Sequence, residues 1–551
     1  MVVHAKVAVS IHRGSDAPGT AGVAQDPNRS LIPYASLQLA WCAAAVVLVA
    51  LAIYLRTMLP SVAFWDTGEA QTVPYTLSIF HPTGFPFYTL LGWAWTHAIP
   101  FGTVAWRMNL LSGVCIALAS GLVVLTVGQL AWERHRWTVA GAAAAAGLAF
   151  AFAAEPWRNA LRADVHAVHV FLAALLVWLL VSWRSARMGG SPRADRWLAA
   201  AALTFGLGMG THPLIGLTAF GIAAWLVFVD RHIWRRWRLV LVCAALLALG
   251  MSTYAYIYLR AIIPPEPPLF YAHPNTLERF RYLVFAEQFH NLFDPLSSPF
   301  ASLGPKWATA EAILQRQFLG PGWLLAAVGA AVLAARDLRA FLFLALLVGG
   351  NVIYSMNFSD GDIARYYMLT VLIAAVCLGI AISAIAAAAG RAMAEASRRA
   401  WSFAGRRRAA TVAGALVLIA GLLLPAGGLL TGYPERAEQG ANRDADLWVA
   451  SVHNVLPRGA VLISWWSYST PLWYHRWVLN ERPDIIILDE RNILDEGYGT
   501  IDGAISYYLS RRPVYVVPPF WELDRILAVW QTQSIPTYAG YTDLLRIEGD
   551  R

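Results

Sequence analysis

Charged side chains are scarce in this chain of 551 residues. Only 14% of its residues are Asp, Glu, Lys or Arg and 58% are apolar, whereas an ordinary soluble protein carries about 25% charge. This composition excludes a disordered or collagen-like chain and argues against a soluble globular one. The 24 tryptophans fit a protein with two membrane interfaces, where aromatic rings concentrate. We therefore expect a polytopic α-helical membrane protein with a soluble part.

Cysteine is also rare. All four cysteines fall within apolar stretches, and residues 432–551 contain none. Buried small side chains explain these positions, so a disulfide framework or a CxxC metal site has no support. The nucleotide-binding, metalloprotease and serine-hydrolase motifs GxGxxG, GxxxxGK[ST], HExxH and GxSxG do not occur in a setting that would support them.

Long apolar runs predict the membrane topology, since a helix needs about 20 apolar residues to cross the hydrocarbon core. The stretch 197–230 is too long for one span and is interrupted by Gly208-Met-Gly-Thr-His212-Pro, which predicts a hairpin of two short spans. With this hairpin the chain has about eleven spans. The other nine are 37–57, 107–131, 138–154, 165–183, 239–259, 321–335, 340–356, 366–389 and 409–430.

The basic residues are distributed unevenly between the two predicted faces. Half of the 42, that is 21, lie in six segments that we therefore place in the cytoplasm, in accordance with the positive-inside rule. The external loop 58–106 contains no Lys or Arg, and the external loop 260–320 contains five. The net charge of +8 is thus an orientation signal, and no nucleic-acid partner is needed to explain it. The six segments are 1–36, 132–137, 184–196, 231–238, 336–339 and 390–408.

Three regions differ in composition. Residues 1–36 predict a disordered cytoplasmic tail, and residues 37–431 form the transmembrane part, whose first span is a retained anchor. Residues 432–551 predict a small extracytoplasmic α/β domain. Its strands are expected at 461–463, 485–488 and 514–517, with helices around 470–480 and 520–531.

The aromatic residues of this C-terminal domain leave two interpretations open. They form either a surface on which sugar rings stack or a packed core against the membrane domain. The residues are Trp465, Trp466, Tyr468, Trp473 and Tyr474.

Ionisable residues collect at the predicted outer membrane face, where polar groups are costly and tend to mark function. Asp66 and Glu69 are spaced i, i+3, so a helix beginning here places both carboxylates on one face. The alternative is a capping box without further role. His81 lies in a Pro/Gly turn, either as a pocket residue or as an ordinary turn residue. The other members are Arg162, Asp164, His166, His212, Asp360, Asp362 and Arg365.

Such a cluster suits transfer from a lipid-linked donor, because a polyprenyl phosphate presents its head group at the membrane interface. A carboxylate takes the proton of an attacking hydroxyl, which accelerates such reactions about 10²- to 10⁴-fold. Arginines bind the leaving phosphate through charge-assisted hydrogen bonds. Asp360-Gly-Asp362 is a candidate site for a divalent cation, Mg²⁺ or Mn²⁺, although no cofactor is certain.

Several motifs carry a family resemblance. The chain contains, in order, Trp65-Asp-Thr-Gly-Glu69, His81-Pro-Thr-Gly-Phe-Pro-Phe87, Trp106-Arg-Met-Asn109, Ala163-Asp-Val-His166 and Gly208-Met-Gly-Thr-His212. These resemble motifs in bacterial relatives of the animal transmembrane O-mannosyltransferase that modifies plexin-type receptors, within the GT-C glycosyltransferase superfamily. The likeness covers roughly residues 35–370. The family's HPPGYP is HPTGFP here, and its EVY-type motif is Asp164-Val-His166.

The resemblance implies a GT-C-like, inverting glycosyltransferase that uses a polyprenyl-phosphate sugar, of mannose type, in a bacterial plasma membrane. The expected acceptor is a hydroxyl of an extracytoplasmic protein or glycan. Asp66 falls on the position of the general base, with Glu69 as its partner or as a metal ligand. Substrate-binding roles are expected for His81, Arg107, Arg162, Asp164, His166, His212 and Arg365.

Two other functions remain open. A transporter or flippase of lipid-linked sugars would use broken helices and membrane-edge charges too, but it calls for polar residues at the bilayer midplane. A non-catalytic scaffold would capture a partner with its outer domain, and it predicts that Asp66 points into bulk solvent.

Overall fold

The structure is a computed structural model that describes residues 37–133, 135–292, 303–398 and 401–551. The predicted cytoplasmic tail, residues 1–36, lies outside the described residues, as does part of the predicted external loop 260–320. The described chain is a bundle of helices followed by a five-stranded sheet with its own helices.

The helices follow one another with short connections. The first eleven are Leu37–Thr57 (α1), Trp65–Thr76 (α2), Pro86–Ala98 (α3), Val104–Leu130 (α4), Arg136–Ala151 (α5), Ala154–Ala160 (α6), Val165–Met188 (α7), Ala194–Met209 (α8), Ala219–Val229 (α9), Trp237–Met251 (α10) and Ala255–Ile262 (α11). The next seven are Leu277–Val284 (α12), Leu303–Gln315 (α13), Pro321–Arg336 (α14), Leu338–Met356 (α15), Met368–Ala396 (α16), Phe403–Gly421 (α17) and Leu423–Gln439 (α18). The C-terminal part adds Asp444–Val455 (α19), Trp466–Trp477 (α20), Ile501–Leu509 (α21) and Leu523–Val529 (α22).

Seven described helical segments are long and apolar enough to cross a membrane, or eight if the bent pair α5 and α6 is one span. This confirms an integral membrane protein. The count of eleven stays a prediction, because α8, α9 and α14 are only 16, 11 and 16 residues long. The expected break in 197–230 is confirmed, since α8 ends at Met209 and a 3₁₀ turn begins at Pro213. The predicted loop 58–106 contains two helices, α2 and α3.

Three of the candidate spans form the centre of the bundle. We compared how much of an 18-residue apolar stretch of each span is buried within the protein. This share is 78% in α4 and in the segment Ile363–Ala396 and 83% in α7, but only 28% in α1. Small residues make this close packing feasible: a Cβ on Gly329 of α14 would lie only 1.8 Å from the carbonyl oxygen of Cys377 in α16. The outer helices expose Leu, Val and Trp side chains that suit contact with lipid.

Three of the segments predicted to be cytoplasmic meet at one end of the bundle. Arg184 pairs with Asp337, and Arg236 pairs with Asp195. Arg187 lies 2.9 Å from Asp230. These ion pairs connect segments 184–196, 231–238 and 336–339, so the structure brings these basic loops to one common face.

The C-terminal part contains strands Val461–Ser464 (β1), Ile486–Asp489 (β2), Val514–Val516 (β3), Trp530–Ile535 (β4) and Leu544–Asp550 (β5) in the order β2-β1-β3-β5-β4. The first three are parallel and agree with the predicted strands within one or two residues. The antiparallel strands β4 and β5 are not predicted by the sequence analysis. They alternate between buried and exposed residues and lack a continuous apolar run.

The C-terminal part packs directly on the membrane part through helices α2 and α20. A Cβ on Gly68 of α2 would lie 2.7 Å from Oγ1 of Thr470 in α20, so only glycine permits this approach. The hydroxyl of Tyr474 accepts a hydrogen bond from the backbone N–H of Ala105 at 3.0 Å. The five aromatic residues at 465–474 are at most 9% exposed, which confirms the packed-core interpretation.

We expect Gly329→Ala to lower the melting temperature measured in detergent. The added methyl group forces α14 away from the Cys377 carbonyl, and overpacking of this kind costs about 1–3 kcal/mol. Gly349→Ala in α15 is the matched control, because nothing lies within 4 Å of its added Cβ. An unchanged melting temperature for Gly329→Ala would show that α14 and α16 are not in this contact.

Candidate active site

The site begins at the first turn of α2. The residue before this helix, Phe64, has an extended backbone, and no side chain caps the helix. The capping-box interpretation of Asp66 and Glu69 is therefore wrong. Both carboxylates are instead engaged by residues from other parts of the chain.

Asp66 is held by two donors. Its Oδ2 accepts a hydrogen bond from Arg365 at 3.0 Å, and its Oδ1 accepts one from Nε1 of Trp466 at 2.9 Å. Its side chain is 37% exposed, more than any other carboxylate or arginine of the cluster. Asp66 is therefore both oriented and accessible. The hypothesis of a non-catalytic scaffold predicts instead that this carboxylate points into bulk solvent, and the two hydrogen bonds contradict it.

The charges around Asp66 keep it ionised. Partial burial by itself raises the pKa of this carboxyl, but the positive charge of Arg365, that of His81 and the Trp466 hydrogen bond outweigh it. The pKa of Asp66 is thus lowered below its ordinary value of 3.8. The deprotonated form predominates throughout the physiological range.

Glu69 and His81 form a coupled pair beneath Asp66. Glu69 is 2% exposed, accepts the backbone N–H of His81 at 2.9 Å and contacts the ring Nδ1 of His81. Burial opposes the charged form of His81, but the Glu69 carboxylate raises the pKa of this imidazole above its ordinary value. Burial, together with the negative charge of Asp66, raises the pKa of Glu69 above its ordinary value.

Three arginines converge on the same face. Arg162 lies 2.7 Å from Asp362, which Arg158 also contacts. Arg365 lies 3.6 Å from Asp164 and 3.9 Å from Asp360 in addition to its bond with Asp66. The Nε atoms of Arg162 and Arg365 are buried and have no hydrogen-bond partner among the described residues. An anionic oxygen from outside therefore meets the exposed parts of these side chains, of which 27% is accessible in Arg162 and 10% in Arg365.

The structure does not favour a cation between Asp360 and Asp362. Arg158 and Arg162 occupy the two oxygens of Asp362, and Asp360 accepts the backbone N–H of Asp362 at 2.6 Å. Within the described residues these two carboxylates belong to no group of three metal-ligating side chains.

The two predicted histidines lie behind the arginines. Asp164 caps α7 by accepting the backbone N–H of His166 at 2.8 Å, and it also contacts the His166 ring at 3.0 Å. The ring of His212 lies 4.6 Å from that of His166, and its Nδ1 accepts the N–H of Leu214. Burial lowers the pKa of His212. The ring of His212 thus supports the neighbouring backbone, whereas the buried ring of His166 contacts the Asp164 carboxylate.

Arg107 is placed differently. Its guanidinium binds the backbone carbonyl oxygens of Thr96, Phe101 and Gly102 at 2.7–3.1 Å. These contacts close the turn between α3 and α4. The expected substrate-binding role of Arg107 has no contact to support it.

The sequence analysis missed the contributions of Trp466 and Asn109. Oδ1 of Asn109 accepts hydrogen bonds from Nε2 of Gln71 and from the backbone N–H of Ala163, both at 2.8 Å. Its Nδ2 donates a hydrogen bond to the backbone carbonyl oxygen of Leu59. It thereby fixes α2 against the Arg162–Asp164 segment. Its position in the motif Trp106-Arg-Met-Asn109 was a signal for it, whereas nothing in the local sequence distinguishes Trp466 from the neighbouring tryptophans.

The site lies at the start of a segment with known relatives. The sequence model of the family described as "Protein O-mannosyl-transferase TMEM260 N-terminal domain" matches residues 66–237. This segment of 172 residues is therefore similar to the N-terminal domain of TMEM260 proteins. This confirms the resemblance to transmembrane O-mannosyltransferases.

Two curated TMEM260 proteins match the same part of the chain. Protein O-mannosyl-transferase TMEM260 of Mus musculus is 31% identical over 177 residues, which are 32% of this chain and 24% of that protein. The Dictyostelium discoideum protein of this name is 27% identical over 187 residues, covering 32% and 22%. The match thus spans about a quarter of the length of these relatives.

Most of the chain shares its fold with a protein of known structure. ArnT from Cupriavidus metallidurans in the apo state superposes with a TM-score of 0.58 at 13% identity, covering 92% of this chain and 97% of ArnT. ArnT bound to undecaprenyl phosphate gives 0.56 at 14% identity with the same coverage. The predicted architecture, a helical membrane part followed by an α/β part, thus shares its overall fold with ArnT over 92% of the chain.

We expect Asn109→Ala to destabilise the site. It leaves the buried Ala163 N–H without its acceptor, at a cost of about 1–3 kcal/mol, and it removes one of the two acceptors of Gln71 Nε2, which keeps the Ser61 carbonyl. The melting temperature in detergent should fall by several degrees. Asn291→Ala, at an exposed asparagine, is the control and should leave it unchanged. Equal melting temperatures for the two variants would refute the anchoring role of Asn109.

Proposed function

We propose that this protein is an inverting membrane glycosyltransferase. It transfers a sugar, of mannose type, from a polyprenyl-phosphate donor to a hydroxyl of a protein or glycan on the outer face of the membrane. One observation carries the proposal: Asp66 is the most exposed charged group of the cluster and is oriented by both Arg365 and Trp466. The names of the TMEM260 relatives and the undecaprenyl phosphate bound to ArnT support it.

Asp66 acts as the general base. The acceptor hydroxyl attacks the anomeric carbon of the sugar while Asp66 takes its proton, and the bond from that carbon to the phosphate oxygen breaks. One displacement inverts the configuration. The lowered pKa of Asp66 keeps the carboxylate ready for the proton, and the attacking oxygen reaches it because the side chain is exposed.

The arginines receive the leaving phosphate. The partly exposed guanidinium groups of Arg162 and Arg365 donate to its oxygens, and their charges stabilise the negative charge that develops as the bond breaks. Asp362 and Asp164 hold these arginines in place. Because guanidinium groups already supply positive charge, a Mg²⁺ or Mn²⁺ ion at Asp360 and Asp362 is not required by this mechanism.

The orientation follows from the charge distribution. The basic loops at one end of the bundle face the cytoplasm, so the cluster around Asp66 and the sheet lie outside. This arrangement exposes the site to a donor in the outer leaflet of the plasma membrane and to acceptors outside the cell.

We expect Asp66→Asn to abolish sugar transfer, because an amide cannot accept the proton of the acceptor. Purified protein is incubated with radiolabelled polyprenyl-phosphate mannose and a peptide or glycan acceptor, and the labelled product is counted. Glu395→Gln is the control, since Glu395 is an exposed surface residue of α16. Activity of the Asp66 variant equal to that of the control would remove Asp66 as the base.

We expect Trp466→Phe to lower kcat about tenfold or more while leaving the KM for the donor unchanged. The phenyl ring keeps an aromatic side chain at this position, although a smaller one, and no longer donates to Asp66. The pKa of Asp66 then rises toward its ordinary value of 3.8, because a hydrogen bond that favours the carboxylate is lost.

This change gives a signature in the pH profile. The carboxylate is the active form, so activity is lost as pH falls through its pKa, and the acid limb of the variant lies at higher pH than that of the unaltered protein. A uniform loss of activity with an unmoved acid limb would indicate structural damage and would contradict the positioning role of Trp466.

A further inference from the structure

A second cluster of chemistry-bearing side chains lies in the C-terminal part. His453 is in the last turn of α19, His475 is near the end of α20, and Glu481 follows α20. The candidate ligand atoms of these three residues all lie within 4.8 Å of one another. It is the one such grouping of His, Cys, Asp and Glu in the part of the chain that the structure describes.

The spacing of the three atoms suits one small cation. Oε2 of Glu481 lies 2.8 Å from Nδ1 of His475 and 3.7 Å from Nδ1 of His453. Zn²⁺ binds imidazole nitrogen and carboxylate oxygen at about 2.0–2.2 Å in a tetrahedron, whose ligands are then about 3.4 Å apart. The two observed distances lie on either side of that value, so small side-chain rotations bring all three atoms onto one ion.

The ring of His475 is already oriented as in a metal site. Its second nitrogen, Nε2, lies 3.1 Å from Oδ1 of Asp446. Histidines that bind metals usually donate their other ring N–H to a carboxylate, which fixes the tautomer and the direction of the ligating nitrogen. Asp446 does this for His475 and leaves Nδ1 directed at Glu481.

The remaining charges near the cluster are balanced. Arg482 follows Glu481 directly, but its guanidinium pairs with Asp484 and donates to the backbone carbonyl of His453. Glu481 and Asp446 therefore contribute two negative charges next to the two imidazoles. A divalent cation compensates both, and a pair of imidazole ligands selects a transition metal over Mg²⁺ or Ca²⁺.

We propose that His453, His475 and Glu481 bind one Zn²⁺ ion with Asp446 as the supporting carboxylate. The site is structural. His475 lies nine residues after Trp466 in α20, about 13 Å along the helix axis, so the ion does not reach the groups around Asp66. It joins the end of α20 to α19 and fixes the helix whose first residue is Trp466.

The test measures zinc directly. The full-length protein is purified in detergent, stripped with a chelator, dialysed, incubated with ZnCl₂ and analysed for metal by mass spectrometry. We expect one tightly held Zn²⁺ per chain and a higher melting temperature with zinc than after stripping. Both effects should be lost in His453→Gln and in Glu481→Gln. The latter changes a half-exposed side chain and is therefore compatible with folding.

Two matched variants serve as controls. His232→Ala and Glu548→Gln alter exposed residues outside the cluster and should keep the zinc and the temperature shift. Equal zinc content in cluster and control variants, or no uptake by the unaltered protein, would overturn the site. His475 would then simply bridge Glu481 and Asp446 as a charge cluster. Because the readouts are metal content and melting temperature, the result is independent of the proposed transfer activity.

Discussion

The carboxylate of Asp66 is the point on which the arrangement depends. Its two partners, Arg365 and Trp466, are 299 and 400 residues away in the chain, and each binds a different oxygen. Three separate parts of the protein must therefore be in place before this one group is oriented. Two packing contacts hold α2 in the position that allows both hydrogen bonds at once. They are the close approach of α2 to α20 at Gly68 and the hydrogen bonds of Asn109.

Many of the helices, strands and site residues could be predicted from the sequence, because they depend on local sequence patterns. The start of a helix at Asp66 and Glu69, the break near His212 and the three parallel strands each follow from spacing within a few residues. The clustering of ionisable groups on one face followed from the alternation of apolar spans with polar junctions. The coupling of Glu69 to His81 joins two of the predicted residues across only twelve positions.

The remainder depends on contacts that no local pattern encodes. Trp466 is one of several similar aromatic residues, and only the docking of α20 on α2 selects it as a donor. Asp362 looks like a cation ligand in isolation but is enclosed by Arg158 and Arg162 from another loop. Arg107 lies in a motif that resembles one of the family, yet its guanidinium donates its hydrogen bonds to nearby backbone carbonyl oxygens. Helices α8, α9 and α14 are shorter than the roughly 20 residues that a membrane span needs, so apolar length alone does not decide whether they cross the membrane.

The distance in sequence between Asp66 and Trp466 also has a consequence for biosynthesis. A chain made from its N-terminus presents Asp66 long before the indole that orients it exists, and domains generally fold in the order in which they are made. The growing chain thus displays the carboxylate without its second hydrogen bond until α20 has been made and has docked on α2. Completion of the C-terminal part is therefore a condition for the full orientation of Asp66.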